Sequence, residues 1–310
     1  VTAKSASRKG ARIVAYLDPN ARNASLLDLL DRLARRRNAD VLALRVLPEL
    51  PWYVPGSQKK RIRDALEHEA GVDLEREVEP LAHAGLKVRR RVAWGRPFQV
   101  IIEEALRRPT QLVLKTARGE GRGGTPFFGS TAMHLFRKCP VPVWVVKPRR
   151  TRRIRRVLAS VDPAEPTRDE VDLNTEILRV ALDIATTENA ELHVCHAFST
   201  LSERVLPQES RAYVAEFRAR VADALERLLA PFELSLKDRR VHMLNGDPEQ
   251  VIPRFVAKEK IDLLVMGTIA RTGVPGLLIG NTAERMLQAV DCSVLAIKPR
   301  GFVSPVRPEA

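Results

Sequence analysis

The residues best suited to chemistry lie near the C-terminal end of the chain. Gly267 closes the apolar run Leu263-Leu264-Val265-Met266, and Gly280-Asn281-Thr282 opens a stretch in which Ala283, Met286, Leu287 and Val290 recur at helical spacing. A glycine-bearing loop between a buried strand and a helix start is a place where backbone N–H groups meet phosphate. Asn281 can cap that helix or donate from its amide, and Arg271 adds a positive charge to the same loop. Two carboxylates, Asp18 and Asp162, each close an apolar strand with Asp-Pro and can accept a ribose hydroxyl. An isolated carboxylate is not a general base without a positioned partner. The chain has no G-x-S-x-G elbow, no H-E-x-x-H and no G-x-x-x-x-G-K-(S/T) loop. Hydrolysis of ATP, even weak, would need an activated water that no residue pattern here supplies.

Composition narrows the field. The 310 residues suffice for roughly two domains. No run approaches the ~20 apolar residues of a membrane span, and the N-terminus lacks a charged-then-apolar leader, so a cytoplasmic protein without membrane contact is expected. Cys139, Cys195 and Cys292 form no C-x-x-C pair, and the six histidines are scattered, so neither a disulfide framework nor a metal site is expected. The formal charge of +14 is unevenly held: residues 1–150 carry 30 Lys and Arg against 15 Asp and Glu, residues 151–310 carry 22 against 23. The runs Lys59 to Arg63, Arg89 to Arg91 and Arg149 to Arg156 attract phosphate, which predicts at most non-specific, salt-sensitive contact with nucleic acid, or an acidic partner.

The chain repeats itself. Trp94-Gly95-Arg96-Pro97 matches Asn245-Gly246-Asp247-Pro248, Gly129-Ser130-Thr131-Ala132 matches Gly280-Asn281-Thr282-Ala283, and Lys147-Pro148 matches Lys298-Pro299, all at an offset of 151. Asp18 to Asp162 is an offset of only 144, so the second half holds seven extra residues near Glu165 to Asp172, expected to lengthen the loop after its first strand. Each half alternates strand and helix, predicting a parallel sheet with right-handed crossovers and helices on both faces. Lys59 to Ala84 and Glu203 to Leu229 read as long amphipathic helices between second and third strands. Residues 1–150 and 151–310 are thus two domains. Their apolar last strands, Val143 to Val146 and Val294 to Ile297, are expected to pack the two domains together.

The spacing of Gly267 and Gly280 resembles the nucleotide loop of the universal stress protein family, G-x2-G-x9-G-(S/T). Ala270 replaces the second glycine and Asn281 the Ser or Thr. The resemblance implies two tandem Rossmann-like domains, each a five-stranded parallel sheet. It also implies a non-enzymatic stress-response protein with a small-molecule ligand, ATP or AMP, in the crevice beyond the strand ends. Carried over residue by residue, the ligand site is Asp162, Ala197, Gly246, Gly267, Arg271, Gly280, Asn281 and Thr282. The first-half counterparts are Asp18, Val46, Gly95, Gly129 and Ser130. There Lys115-Thr116-Ala117-Arg118 stands where Gly-x-x-Gly would be, with an interval to Gly129 one residue longer than its counterpart, and the following glycines suggest a flexible loop. Lys115, Arg118 and Arg122 are candidates for some other anion. A nucleotide, if bound, is expected in the second half.

Overall fold

A computed structural model describes residues 12–120, 126–148, 153–163, 168–199, 208–268 and 281–307. The chain divides into two compact units that change over between Arg152 and Arg153, with the C-terminal segment from Ser304 grouped with the first.

In the first unit, β1 (Arg12–Tyr16), α1 (Ala24–Arg37), β2 (Asp40–Leu47), α2 (Gly56–His83), β3 (Val88–Trp94), α3 (Pro97–Arg107), β4 (Leu112–Thr116), α4 (Ser130–Lys138) and β7 (Val143–Val146) alternate. A two-stranded antiparallel pair, β5 (Arg118–Glu120) with β6 (Pro126–Phe127), stands where a flexible loop is expected. The five parallel strands lie in the order β7-β4-β1-β2-β3. Right-handed crossovers then put α1 and α2 on one face and α3 and α4 on the other. Strands covered on both faces read as continuous apolar runs: Ile13, Val14, Ala15, Val113 and Leu114 are wholly buried.

The second unit repeats the order with β8 (Arg156–Ser160), α5 (Arg168–Glu188), β9 (Glu191–Phe198), α6 (Gln208–Leu229), β10 (Val241–Asn245), α7 (Pro248–Lys258), β11 (Leu263–Gly267), α8 (Asn281–Ala289) and β12 (Ser293–Ile297). Its five strands, also parallel, run β12-β11-β8-β9-β10. Local signals repeat with the strands. Pro97 and Pro248 begin α3 and α7, where a missing N–H costs nothing. Asn38 and Asn189 follow α1 and α5 with φ of 45° and 52°, the left-handed turn that Asn tolerates. No helix among the described residues is long and apolar enough to cross a membrane.

Two expectations change. Helix α1 has 14 residues and α5 has 21, both ending at equivalent positions, so the seven extra residues extend a helix by two turns at its start instead of lengthening a loop. Helix α2 is not amphipathic throughout. It buries only Ala70, Leu74, Val78 and Leu81, all in its second half.

Gly95 and Gly246 each follow the third strand, with φ of +129° and +133°. Each donates its N–H to the second strand, to Leu47 and Phe198 respectively, both at 2.9 Å. Alanine at either position costs about 1–2 kcal/mol in backbone strain. At Gly246 the added methyl also meets Val251 at 2.6 Å, against 3.4 Å to Val100 at Gly95. Gly246→Ala therefore lowers the unfolding midpoint more than Gly95→Ala in urea melts followed by circular dichroism; equal losses would contradict this packing.

Candidate functional site

Crossovers run one way from the first strand to the third and the other way from there to the fifth. Among the described residues no crossover helix lies over the strand ends where the direction reverses, between the first and fourth strands. In the first unit that switch point lies between β1 and β4, in the second between β8 and β11.

Strand pairing fixes which residues are equivalent there. Tyr16 pairs with Lys115, and Ser160 with Met266. Lys115 is thus the counterpart of Met266, and Thr116, not Lys115, is the counterpart of Gly267. Counted from Thr116, the interval to Gly129 equals that from Gly267 to Gly280, and no residue has been added.

The first unit fills its switch point with its own charges. Lys115 is 2% exposed, and its Nζ donates to the Thr116 carbonyl at 2.7 Å. The same Nζ stands 3.6 Å from Asp18 Oδ2 and 5.6 Å from the Tyr16 ring centre. The other carboxylate oxygen of Asp18 accepts from the Asn20 N–H at 3.0 Å. Buried Asn23 joins the surrounding elements. Its amide donates to the Asp18 carbonyl at 3.1 Å and to Glu77 Oε1 at 2.8 Å, while its oxygen accepts from the Thr116 hydroxyl at 2.9 Å. Glu77, on α2, completes the network with Arg45 on β2 at 2.6 Å. Lys115 is therefore a partner of Asp18, contrary to its expected role as a ligand for an outside anion. The Arg118 side chain and Arg122 lie outside the described residues. Val46 is buried; Gly129 is the buried N-cap of α4, with Ser130 exposed as its first residue.

The second unit keeps the frame, with Met266 at the lysine's position. Asn174, counterpart of Asn23 at the 151 offset, clamps the backbone of Asp162 from both sides: its oxygen accepts from the Asp162 N–H and its amide donates to the Asp162 carbonyl, each at 2.9 Å. The Asp162 side chain is 57% exposed, against 12% for Asp18, and faces His196 Nδ1 at 3.7 Å. His196 Nδ1 donates to the Val161 carbonyl at 3.1 Å, since a carbonyl can only accept. Ala197 is half-exposed where Val46 is buried. The β8 to β9 pairing ends at Ser160 with Cys195, whose carbonyl accepts from Val161 at 3.0 Å. Two residues on, Ala197 turns its backbone N–H and C=O toward that same side. An exposed carboxylate and a strand backbone beyond its last pairing are groups that a ribose hydroxyl and a heterocyclic base can meet.

The remaining expected residues divide. Gly267 packs against α5, where an added methyl would lie 2.9 Å from Leu173; Gly246 makes a strained turn two strands, about 10 Å, from the switch point. Arg271 and Gly280 lie outside the described residues, as do the side chains of Asn281 and Thr282, whose backbone begins α8. Asn23 and Asn174 were legible only as residues before a helix or within one.

Other reactive groups stand apart. Burial pushes the Cys195 thiol up to about 12, which leaves it unreactive at neutral pH. Cys139 and Cys292 are buried free thiols. His193 Nδ1 and His242 Nε2 approach to 3.1 Å with stacked rings, against Phe255. Among the described residues no group of three His, Cys, Asp or Glu is placed to hold a metal ion.

Comparison with known proteins gives a consistent relationship. The family model described as the universal stress protein family matches residues 11–147 and again 155–298. Universal stress protein E of Salmonella typhi is 32% identical over 229 residues, covering 72% of each chain. The protein of the same name from Escherichia coli K12 is 31% identical over 230 residues, again 72% of each. Among solved structures, the functionally unknown protein PA1789 of Pseudomonas aeruginosa PAO1 superposes with a TM-score of 0.74 at 25% identity, over 96% of this chain and 95% of that one.

Two outcomes follow from this geometry. Lys115→Met strands a buried carboxylate and costs about 3–5 kcal/mol in urea unfolding; adding Asp18→Asn recovers part of the loss, whereas additive losses would show that the two side chains are not coupled. The second concerns pH. Burial, and then the neighbouring His193, lower the His242 pKa. The folded chain keeps this ring neutral, while the unfolded chain takes up a proton below about 6.5. Its contribution to stability is complete above that value and is lost as pH falls toward the lowered folded value. Burial and three nearby cations lower His134 in the same direction. The melting temperature should fall between about pH 7 and about pH 5, with a shallower slope in His242→Gln; an unchanged slope would remove the histidine pair as a cause.

Proposed function

The chain belongs to the universal stress protein family, and from that premise we propose that it holds one adenine nucleotide, ATP or AMP, in the second unit and binds it without turnover. The observation that carries this reading is the asymmetry between two equivalent carboxylates. Asp18 is buried against Lys115, whereas Asp162 is exposed, with uncharged Met266 at the lysine's position.

A chain that places an ammonium 3.6 Å from its own carboxylate has taken the place of a ligand's hydroxyl donor. Opening that site would unpair a buried charge, which costs several kcal/mol. In the second unit Met266 stands at the lysine's position and the Asp162 side chain is 57% exposed. Asp162 accepts from the ribose hydroxyls, Ala197 offers backbone groups to the base edge, and the start of α8 supplies backbone N–H groups to the phosphates. Occupancy then acts by biasing a partner or an interface. Hydrolysis would require a positioned base, and among the described residues the carboxylate placed at the site, Asp162, is assigned to the ribose.

The test transplants the first unit's lysine. Calorimetry with ATP and with AMP should show binding to the wild-type chain that Asp162→Ala weakens at least tenfold and Met266→Lys abolishes. Persistence of full affinity in Met266→Lys would place the ligand elsewhere. Release of ADP from ATP at a rate abolished by Asp162→Ala would replace the binding reading with an enzymatic one.

A further inference from the structure

The three basic runs of the first half have different fates. Arg90 and Arg91 on β3 are paired with Glu75 and Glu104. Arg156 lies 3.6 Å from Glu191, and residues 149–152 are outside the described residues. Lys59, Lys60 and Arg61 are exposed, and among the described residues they have no ion-pair partner. They sit on the half of α2 that the core does not hold: no residue from Gly56 to Glu69 is buried.

The loop that enters this helix adds a second kind of surface. Trp52 is 91% exposed and Tyr53 is 70% exposed, their rings edge to face with centroids 6.1 Å apart. Leaving large rings in water forgoes the favourable burial of their apolar surface. Glu49 ties the loop to the second turn of the helix through Arg63 at 2.7 Å. The aromatic pair thus lies in the loop entering the helix whose first turns carry the exposed cations. In the edge-to-face arrangement each ring keeps at least one face uncovered.

Unpaired cations and exposed ring faces together select among anionic partners. A duplex would meet the cations and leave the rings unused, because its base faces are already stacked. A single strand offers both phosphates and unstacked base faces, and base–aromatic stacking tolerates any sequence. We propose that Trp52 and Tyr53 form a stacking platform for single-stranded nucleic acid, with Lys59, Lys60 and Arg61 pairing its phosphates. This surface belongs to the first unit and does not depend on a nucleotide in the second.

Fluorescence anisotropy with labelled oligo(dT), oligo(U) and a duplex of equal charge tests it in the full-length chain. The single strands should bind tightest, and Trp52→Ala with Tyr53→Ala should weaken them about tenfold or more. Replacing Lys59, Lys60 and Arg61 by Gln should flatten the salt dependence by about 2 in the log–log slope. All five side chains are exposed, so the variants should keep the wild-type melting temperature. Absence of binding, equal affinity for the duplex, or an unchanged affinity on losing both rings would overturn the proposal. So would preferential cosedimentation with phosphatidylserine vesicles, which would assign the surface to a membrane. ATP calorimetry on the ring variants separates this result from the second-unit reading, because it should be unaffected.

Discussion

A parallel sheet whose crossovers reverse direction beside its first strand cannot cover the ends of its first and fourth strands with a helix. Backbone groups and the carboxylate at that point need partners from the chain or from outside it, because buried polar groups without partners are costly. Both units of this protein meet that constraint, and nearly everything specific to each follows from how it is met. The same asparagine, Asn23 or Asn174, holds the carbonyl of the carboxylate residue in both. What lies beyond the asparagine differs.

In the first unit the partners are internal. Lys115 pairs with Asp18, and Asn23 joins Asp18 to Thr116 and to Glu77, which holds Arg45, in one connected set reaching from β4 through the loop after β1 to α2 and β2. Such a network is stable only while complete, since each member leaves another unpaired when removed. In the second unit Met266 and Gly267 replace the lysine and threonine, Leu173 on the extended α5 covers the glycine, and Asp162 is left at the surface beside His196. The glycine that looks like a phosphate contact is thus also required by helix packing, while Asp162 is exposed where Met266 stands in place of the lysine.

The parts of the fold legible in the sequence were those governed by burial and by repetition. Strands apolar on both faces recur in each half, and Pro97 and Pro248 at helix starts and Gly95 and Gly246 at strained turns repeat at the 151 offset. The register of the fourth strand was not legible from the glycine motif. A slip of one residue exchanges the faces of a strand, and counting from the motif placed Lys115 where Thr116 belongs. Residues 165–172, with Pro166, resembled a loop, yet a proline just ahead of a helix is compatible with its start. Ile62 and Leu66 have helical spacing, but no element of the first unit buries them. Periodicity identifies a face that can be buried without showing that anything covers it. The Asn23 and Asn174 clamps were obscure because an asparagine before a helix has an ordinary local use in capping.

The central claim is that the Lys115–Asp18 pair closes the first unit to a nucleotide. Native mass spectrometry of the full-length chain titrated with ATP or AMP counts the occupied sites directly. The account predicts a species carrying a single nucleotide per chain and no second one as ligand is raised. Two nucleotides per chain would mean that the Lys115–Asp18 pair does not close the first unit, and none would mean that the opening at Asp162 serves another ligand.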